Sequence, residues 1–303
     1  YEIALSSMWS ADQLMPFSDT FAEARKLGFT SFELTSKVTP SLHEQWNHNE
    51  FYISTIHDPC PSGLSYSELK EKDIALSSVN EQNRRAAIDA LKRSIDLAQR
   101  LGSKSVVIHC GAVLCDQSRD TKMRRLYREG LQNTPGYSEL SKEFISDRSA
   151  HCQPHIDAVT KSLQEIIAYA DGSGVALALE NRNRFFDIPL PDELDLFLSL
   201  CHEPWFGFQF DVGHAHNLDR LGLVNQVEWI ERFQSRMIGV HLHDVKGLRD
   251  HCVPGTGDVD FNRIASWIPQ HALRTLEITP DASLLDIATG LEVLHGSGCI
   301  IRI

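Results

Sequence analysis

No stretch of the chain approaches the roughly 20 consecutive apolar residues of a membrane-spanning helix, so no span and no membrane partner are expected. Paired cysteines are also missing. The seven cysteines (Cys60, Cys110, Cys115, Cys152, Cys201, Cys252, Cys299) are odd in number, scattered, and never form a C-x-x-C pair, which excludes an obvious disulfide framework and fits a reducing compartment. No charged segment leads into an apolar one at the start of the chain, so nothing marks it for export and a cytoplasmic location is expected. Basic residues are in deficit, 29 Lys and Arg against 41 Asp and Glu, for a formal charge of -12. That balance opposes a phosphate backbone, and a nucleic-acid partner is not expected. Absence of G-x-G-x-x-G after the first strand argues against an open dinucleotide-binding sheet.

Short apolar runs that end in a metal-binding or acid-base side chain are what the chain does have, and they recur along its length. Residues 106–108 end at His109, 175–179 at Glu180, 207–210 at Asp211, 237–240 at His241, and 273–276 at Glu277; 52–56 ending at His57 and Phe32 followed by Glu33 are earlier, weaker cases. Each run reads as a buried strand, and helices alternate with them, for example over 79–101, where Ala87, Leu91, Ile95 and Ala98 form one stripe. Eight strands alternating with helices imply parallel pairing. The expected fold is therefore α/β, a (β/α)8 TIM barrel, with residues 1–303 as a single domain and 110–150 as an insertion after strand four, either a lid or a contact in a homo-oligomer. That insertion shows little apolar periodicity. Its basic run (Arg119, Lys122, Arg124, Arg125, Arg128) reads either as a solvated helix face or as a grip on an anion.

In such barrels function gathers at the C-terminal ends of the strands, where all of these polar residues fall. Glu180, Asp211, His241 and Glu277 come from four successive strands. Three carboxylates packed with one imidazole would repel unless a cation joined them, and the set suits Mn, Mg or Co, with Zn less favoured. Such a cation could chelate a carbonyl and its neighbouring hydroxyl, with Glu180 and Glu277 as base and conjugate acid on the two sides of the carbon between them; the plainer alternative is ligation alone. Asp211 could equally cap the next helix, with His214 and His216 on its first turn. His57, His109, His214 and His243 could position or protonate a substrate oxygen or form a polar network around the metal. Arg182 (or Arg184) and Lys246, just past strand ends, could bind substrate hydroxyls or a phosphate or be ion-paired or solvated.

Four motifs, Leu179-Glu180-Asn181, Asp211-Val212-Gly213-His214, Gly239-Val240-His241-Leu242-His243-Asp244 and Leu276-Glu277, taken in order, resemble the xylose isomerase-like TIM barrel superfamily of sugar phosphate isomerases and epimerases over nearly the whole chain. The resemblance implies a manganese-type ion on Glu180, Asp211, His241 and Glu277 and proton transfer beside a carbonyl through an enediolate, on a small sugar or keto-polyol. A lyase or dehydratase acting on a keto-sugar, keto-glycoside or inosose would use the same proton abstraction. Endonuclease IV-like members use three zinc ions, and His57, His109 and His214 match ligating positions there. Arg249, however, stands where their downstream Asp-x-His motif has its Asp, and this, with the acidic charge, leaves a phosphodiesterase less favoured. Non-catalytic sugar binding is the reading outside enzymology.

Overall fold

The computed structural model describes residues 1–9, 17–41 and 51–302. The loop expected up to Pro16 lies in part outside them. Eight strands close a barrel: β1 Ala4–Ser6, β2 Ser31–Leu34, β3 Tyr52–His57, β4 Ser105–Ile108, β5 Ala176–Glu180, β6 Phe206–Asp211, β7 Met237–Leu242 and β8 Leu273–Leu276. Every pairing is parallel, and β1 closes the ring by pairing with both β2 (Ala4 with Ser31) and β8 (Ala4 with Thr275). The strands are buried on both faces, so they read as continuous apolar runs, as in Val106, Val107 and Ile108, all fully buried.

Helices α1 Phe17–Lys26, α2 Tyr66–Glu71, α3 Glu81–Leu101, α4 Ser118–Arg128, α5 Pro135–His151, α6 Gln153–Ala170, α7 Pro191–Leu198, α8 Val212–Arg220, α9 Gln226–Phe233, α10 Phe261–Ala265 and α11 Leu284–Ser297 occupy the connections among the described residues. The side chain of Asn80 starts α3 by accepting from the Gln82 and Asn83 amides at 2.9 and 3.3 Å. Gly102, at φ 67°, ends it. The buried stripe includes Ala87, Leu91, Ile95 and Ala98, the face anticipated from the spacing.

Inside the barrel, β7 aims Gly239 and His241 inward at a period of two. A Cβ at Gly239 would stand 2.4 Å from Gln209 Oε1, so the missing side chain leaves room for the buried amide of Gln209 from β6. The layer above it is ionisable.

The insertion after β4 departs from the expectation of a largely aperiodic segment with one solvated helix. It forms two helices, α4 and α5, and both contribute to the interior. Met123 of α4 and Phe144 of α5 are fully buried. Arg148 forms a fork with Glu193 at 2.6 and 2.9 Å and donates to the Asp187 carbonyl at 3.0 Å, while Tyr137 donates to the Leu221 carbonyl at 3.0 Å. The basic run divides: Lys122, Arg125 and Arg128 are exposed, whereas Arg124 is buried against Asp120, one turn earlier, at 2.9 Å.

Candidate active site

Four strand ends deliver the central cluster. Glu180 ends β5, Asp211 ends β6, His241 lies one residue before the end of β7, and Glu277 follows β8. One donor atom from each lies within 4.8 Å of the others. His241 Nδ1 is the hub, 2.9 Å from Glu180 Oε1, 3.1 Å from Glu277 Oε2 and 3.6 Å from Asp211 Oδ2. Its Nε2 faces Glu33 Oε2 of β2 at 3.1 Å. All five side chains are buried.

Burial opposes charge on each of these groups, and their neighbours reverse that effect. The Glu180 carboxyl is held well below the ordinary carboxylate range by Arg182 and His109, and that of Glu277 by His241 and His251. Asp211 is likewise held low by His214 and His243. His241 is held well above the usual histidine range by Glu277 and Glu33. Three carboxylates and one imidazole, buried and with one donor atom from each within 4.8 Å of the others, fit a divalent cation.

Local hydrogen bonds hold the cluster in register. Asn181 clamps β5 to β6, accepting from the Asp211 amide at 2.8 Å and donating to its carbonyl at 2.9 Å. Asp211 Oδ1 accepts from the His214 amide at 2.7 Å as the N-cap of α8, so the capping role and the place in the cluster coexist. His243 Nδ1 accepts from the His251 amide at 2.9 Å, which leaves its Nε2–H to donate to Asp211 at 2.9 Å. A Cβ at Gly213 would come within 2.1 Å of the His243 ring, so α8 can begin against that ring only at a glycine.

A cavity of about 280 Å³ opens above, lined by His57, His109, Glu180, Arg182, His214 and Glu277 among others. The Arg182 guanidinium touches Glu180 Oε2 and lies 2.5 Å from His109 Nε2. Burial first, and then Arg182, push the His109 imidazole down to about 3, so the ring is neutral near neutral pH. His251 also reaches the cavity, its Nε2 lying 3.5 Å from Glu277; burial works against its charge, but Asp250 and Glu277 hold it well above the usual range.

The sequence-derived candidates therefore separate. Glu180, Asp211, His241 and Glu277 meet, and His57, His109, His214 and Arg182 surround the opening above them. His243 lies behind Asp211, in the polar network. Lys246 is exposed on the 244–246 strand of a small ribbon and does not line the cavity. Arg184 pairs with buried Asp120 instead. Asn181, Tyr66 and Asp250 had no part in the expected set, and Glu33 entered only as one of the weaker strand endings, with no role given to it. For Glu33 the signal was present, since it follows a short apolar stretch and lies one residue before the end of β2. Tyr66 begins a helix after an irregular segment with no periodic pattern to mark it.

Residues 21–284 match the model of the Xylose isomerase-like TIM barrel family. The chain belongs to that family. An uncharacterized protein of Methanocaldococcus jannaschii is 25% identical over 294 residues, covering 89% of this chain and 88% of its own. Among solved structures, a D-tagatose 3-epimerase-like protein superposes with a TM-score of 0.67 at 19% identity, covering 98% of this chain and 97% of its own. The 3-keto-D-glucoside 4-epimerase of E. coli gives a TM-score of 0.58 at 15% identity, covering 97% and 99%. At these identities the superpositions establish the shared fold.

Proposed function

We propose that this member of the family is a divalent-cation-dependent sugar epimerase or isomerase that moves a proton at the carbon beside a carbonyl. The observation that carries the reading is the placing of Glu180 and Glu277 in one cavity, from the ends of different strands, at 2.9 and 3.1 Å from His241 Nδ1. Two of the structures sharing the fold bear epimerase names, which supports the same class.

Glu180, Asp211, His241 and Glu277 are the residues that would hold the ion, and their hard oxygen-rich set favours manganese over zinc. Bound there, the ion would supply Lewis acidity to a substrate carbonyl and so acidify the neighbouring C–H. The residues do the rest. Arg182 keeps Glu180 ionised, as a base must be before it accepts the carbon-bound proton. Glu277, itself ionised, would take a proton from the His251 imidazolium 3.5 Å away and pass it to the opposite face while Glu180 keeps the one it abstracted, which inverts the centre; return of the Glu180 proton to the next carbon gives the isomer. His57 and the neutral ring of His109 stand where they can hydrogen-bond the sugar oxygens, and His251 holds Glu277 by its imidazolium. His109 Nε2 lies 2.6 Å from Glu180 Oε2, and the two form a second possible donor group with His57, but the Arg182 guanidinium contacts both donor atoms. A fixed guanidinium there favours one ion over two and disfavours phosphodiester hydrolysis.

The test is solvent exchange. Protein stripped with EDTA and reloaded with Mn²⁺ is incubated in D₂O with a panel of ketoses, and deuterium should enter beside the carbonyl with formation of the epimer. Glu180→Gln and Glu277→Gln should each lower exchange by about 10²- to 10⁴-fold. Lack of exchange on every ketose and 3-keto-sugar, with Mn²⁺, Mg²⁺ and Co²⁺ each supplied, would sink the reading.

A further inference from the structure

A second cavity, about 400 Å³, lies beside the first and is the larger of the two. Asp58, Tyr66, His109 and Arg182 line both, so the two chambers meet across these four side chains. Beyond that neck the walls change character. Leu69 of α2, Ile74 and Leu76 after it, Ala87 and Ala90 of α3, and Leu114 of the insertion face the space. Alanines on the α3 face, where longer side chains would fill it, keep the chamber open. Its floor is fastened: Ser77 Oγ accepts from the Ala112 amide at 2.9 Å, and His155 Nδ1 lies 2.8 Å from the Ser77 carbonyl. Lys70, Glu71, Asp73, Gln117 and Asp187 also line it, and Lys70 Nζ lies 5.3 Å from the centre of the Tyr66 ring.

Most of the exposed wall is nevertheless carbon, and a free ketose, with hydroxyls on almost every carbon, would leave several of them without partners there. The catalytic chamber alone falls slightly below the roughly 300–1,000 Å³ of ordinary ligand sites, whereas the joined chambers fall inside that range. We propose that the substrate is a sugar bearing an apolar substituent, an aryl or short alkyl glycoside with a ketone on the ring, and that this second chamber takes the substituent while the ring lies over Glu180 and Glu277. The proposal rests on the epimerase reading for the placing of the ring. Tyr66, 43% exposed at the neck, offers a ring face to the linkage. This makes Leu69, Ala90 and Leu114 specificity-determining residues, since none of them reaches the catalytic cluster.

The experiment compares methyl and phenyl 3-keto-β-D-glucoside on Mn²⁺-loaded protein, by calorimetric titration and by deuterium exchange. Phenyl should bind roughly tenfold or more tightly, as expected from burial of one aromatic ring. Ala90→Phe, which fills the chamber, should abolish the preference while the methyl compound binds as before. Leu114→Gln changes a residue that is 55% exposed and so leaves folding intact; it should cut the preference several-fold. Equal affinities in the wild type, no binding of either compound, or a preference that survives both substitutions would overturn the proposal. Failure of exchange on both compounds, with the phenyl preference intact, would instead count against the epimerase reading and leave the chamber assigned.

Discussion

Glu33 approaches the centre of the site from behind. Its Oε2 faces His241 Nε2 at 3.1 Å, and its Oε1 is buried with no hydrogen-bond partner. A carboxylate on the far nitrogen fixes the orientation of an imidazole and raises its basicity as a ligand. Glu33→Gln should therefore weaken Mn²⁺ binding by about 10- to 100-fold with little change in secondary structure, as read by titration of the stripped protein. Asp58 provides a second case. Burial pushes its carboxyl up to about 6, against the hydrogen bond from Ser94 at 2.7 Å and the nearby charges of His57 and Arg93. A carboxyl raised above its unfolded value, about 3.9, stabilises the fold below that value and loses the contribution as pH rises through the folded one. Asp58→Asn should melt above wild type at pH 8, and the difference should vanish at pH 4. Asp58 was visible in the sequence only as the residue after His57. Nothing in a linear pattern shows where this carboxylate will be packed, because its partner Ser94 comes from α3, 36 residues further along the chain.

Among the elements, the core-forming ones were the most legible. Strands whose every residue is buried stand out as unbroken apolar runs, and each run ended close to where the strand ends. The insertion was not legible, for a physical reason. Helix α5 buries Tyr137, Leu140, Phe144 and Arg148, a regular helical spacing whose last member is a cation. Arg148 counts as polar in any hydropathy pattern, yet it lies in the interior because Glu193 and the Asp187 carbonyl meet its guanidinium. Arg148→Ala would leave the Glu193 carboxylate buried and unpaired, and the cost is about 3–5 kcal/mol, measurable by urea denaturation. Replacing the pair together, Arg148→Met with Glu193→Leu, should recover most of that loss. The same inversion explains Arg124, which reads as one of five exposed basic residues and is in fact tied to Asp120.

At the scale of the molecule, the closed barrel brings to one point residues that are far apart along the chain. The strand endings foretold which side chains would gather, since eight parallel strands present their C-terminal ends to one face. They did not foretell the second chamber, whose walls come from α2, α3 and the insertion and from small residues whose importance is the space they leave. Crowding of charge at the mouth also bears on stability. The fold with the His241 proton in place is favoured below the unfolded histidine value, about 6.5, and loses that contribution as pH rises through the raised folded value. Protein stripped with EDTA should thus lose melting temperature steeply in alkali, and Mn²⁺ at a hundredfold excess over its dissociation constant should restore about 2.7 kcal/mol. A flat pH profile in stripped protein would contradict the proposed balance of charge. Asp211 links this centre to the periphery, since the carboxylate that faces His241 also takes the His214 amide that opens α8. A chelator should therefore act as a local denaturant: removing the ion lets Glu180 and Glu277 push that carboxylate aside, and the first turn of an outer helix frays. Amide exchange at Gly213 and His214 should quicken, while that of α3 keeps its pace.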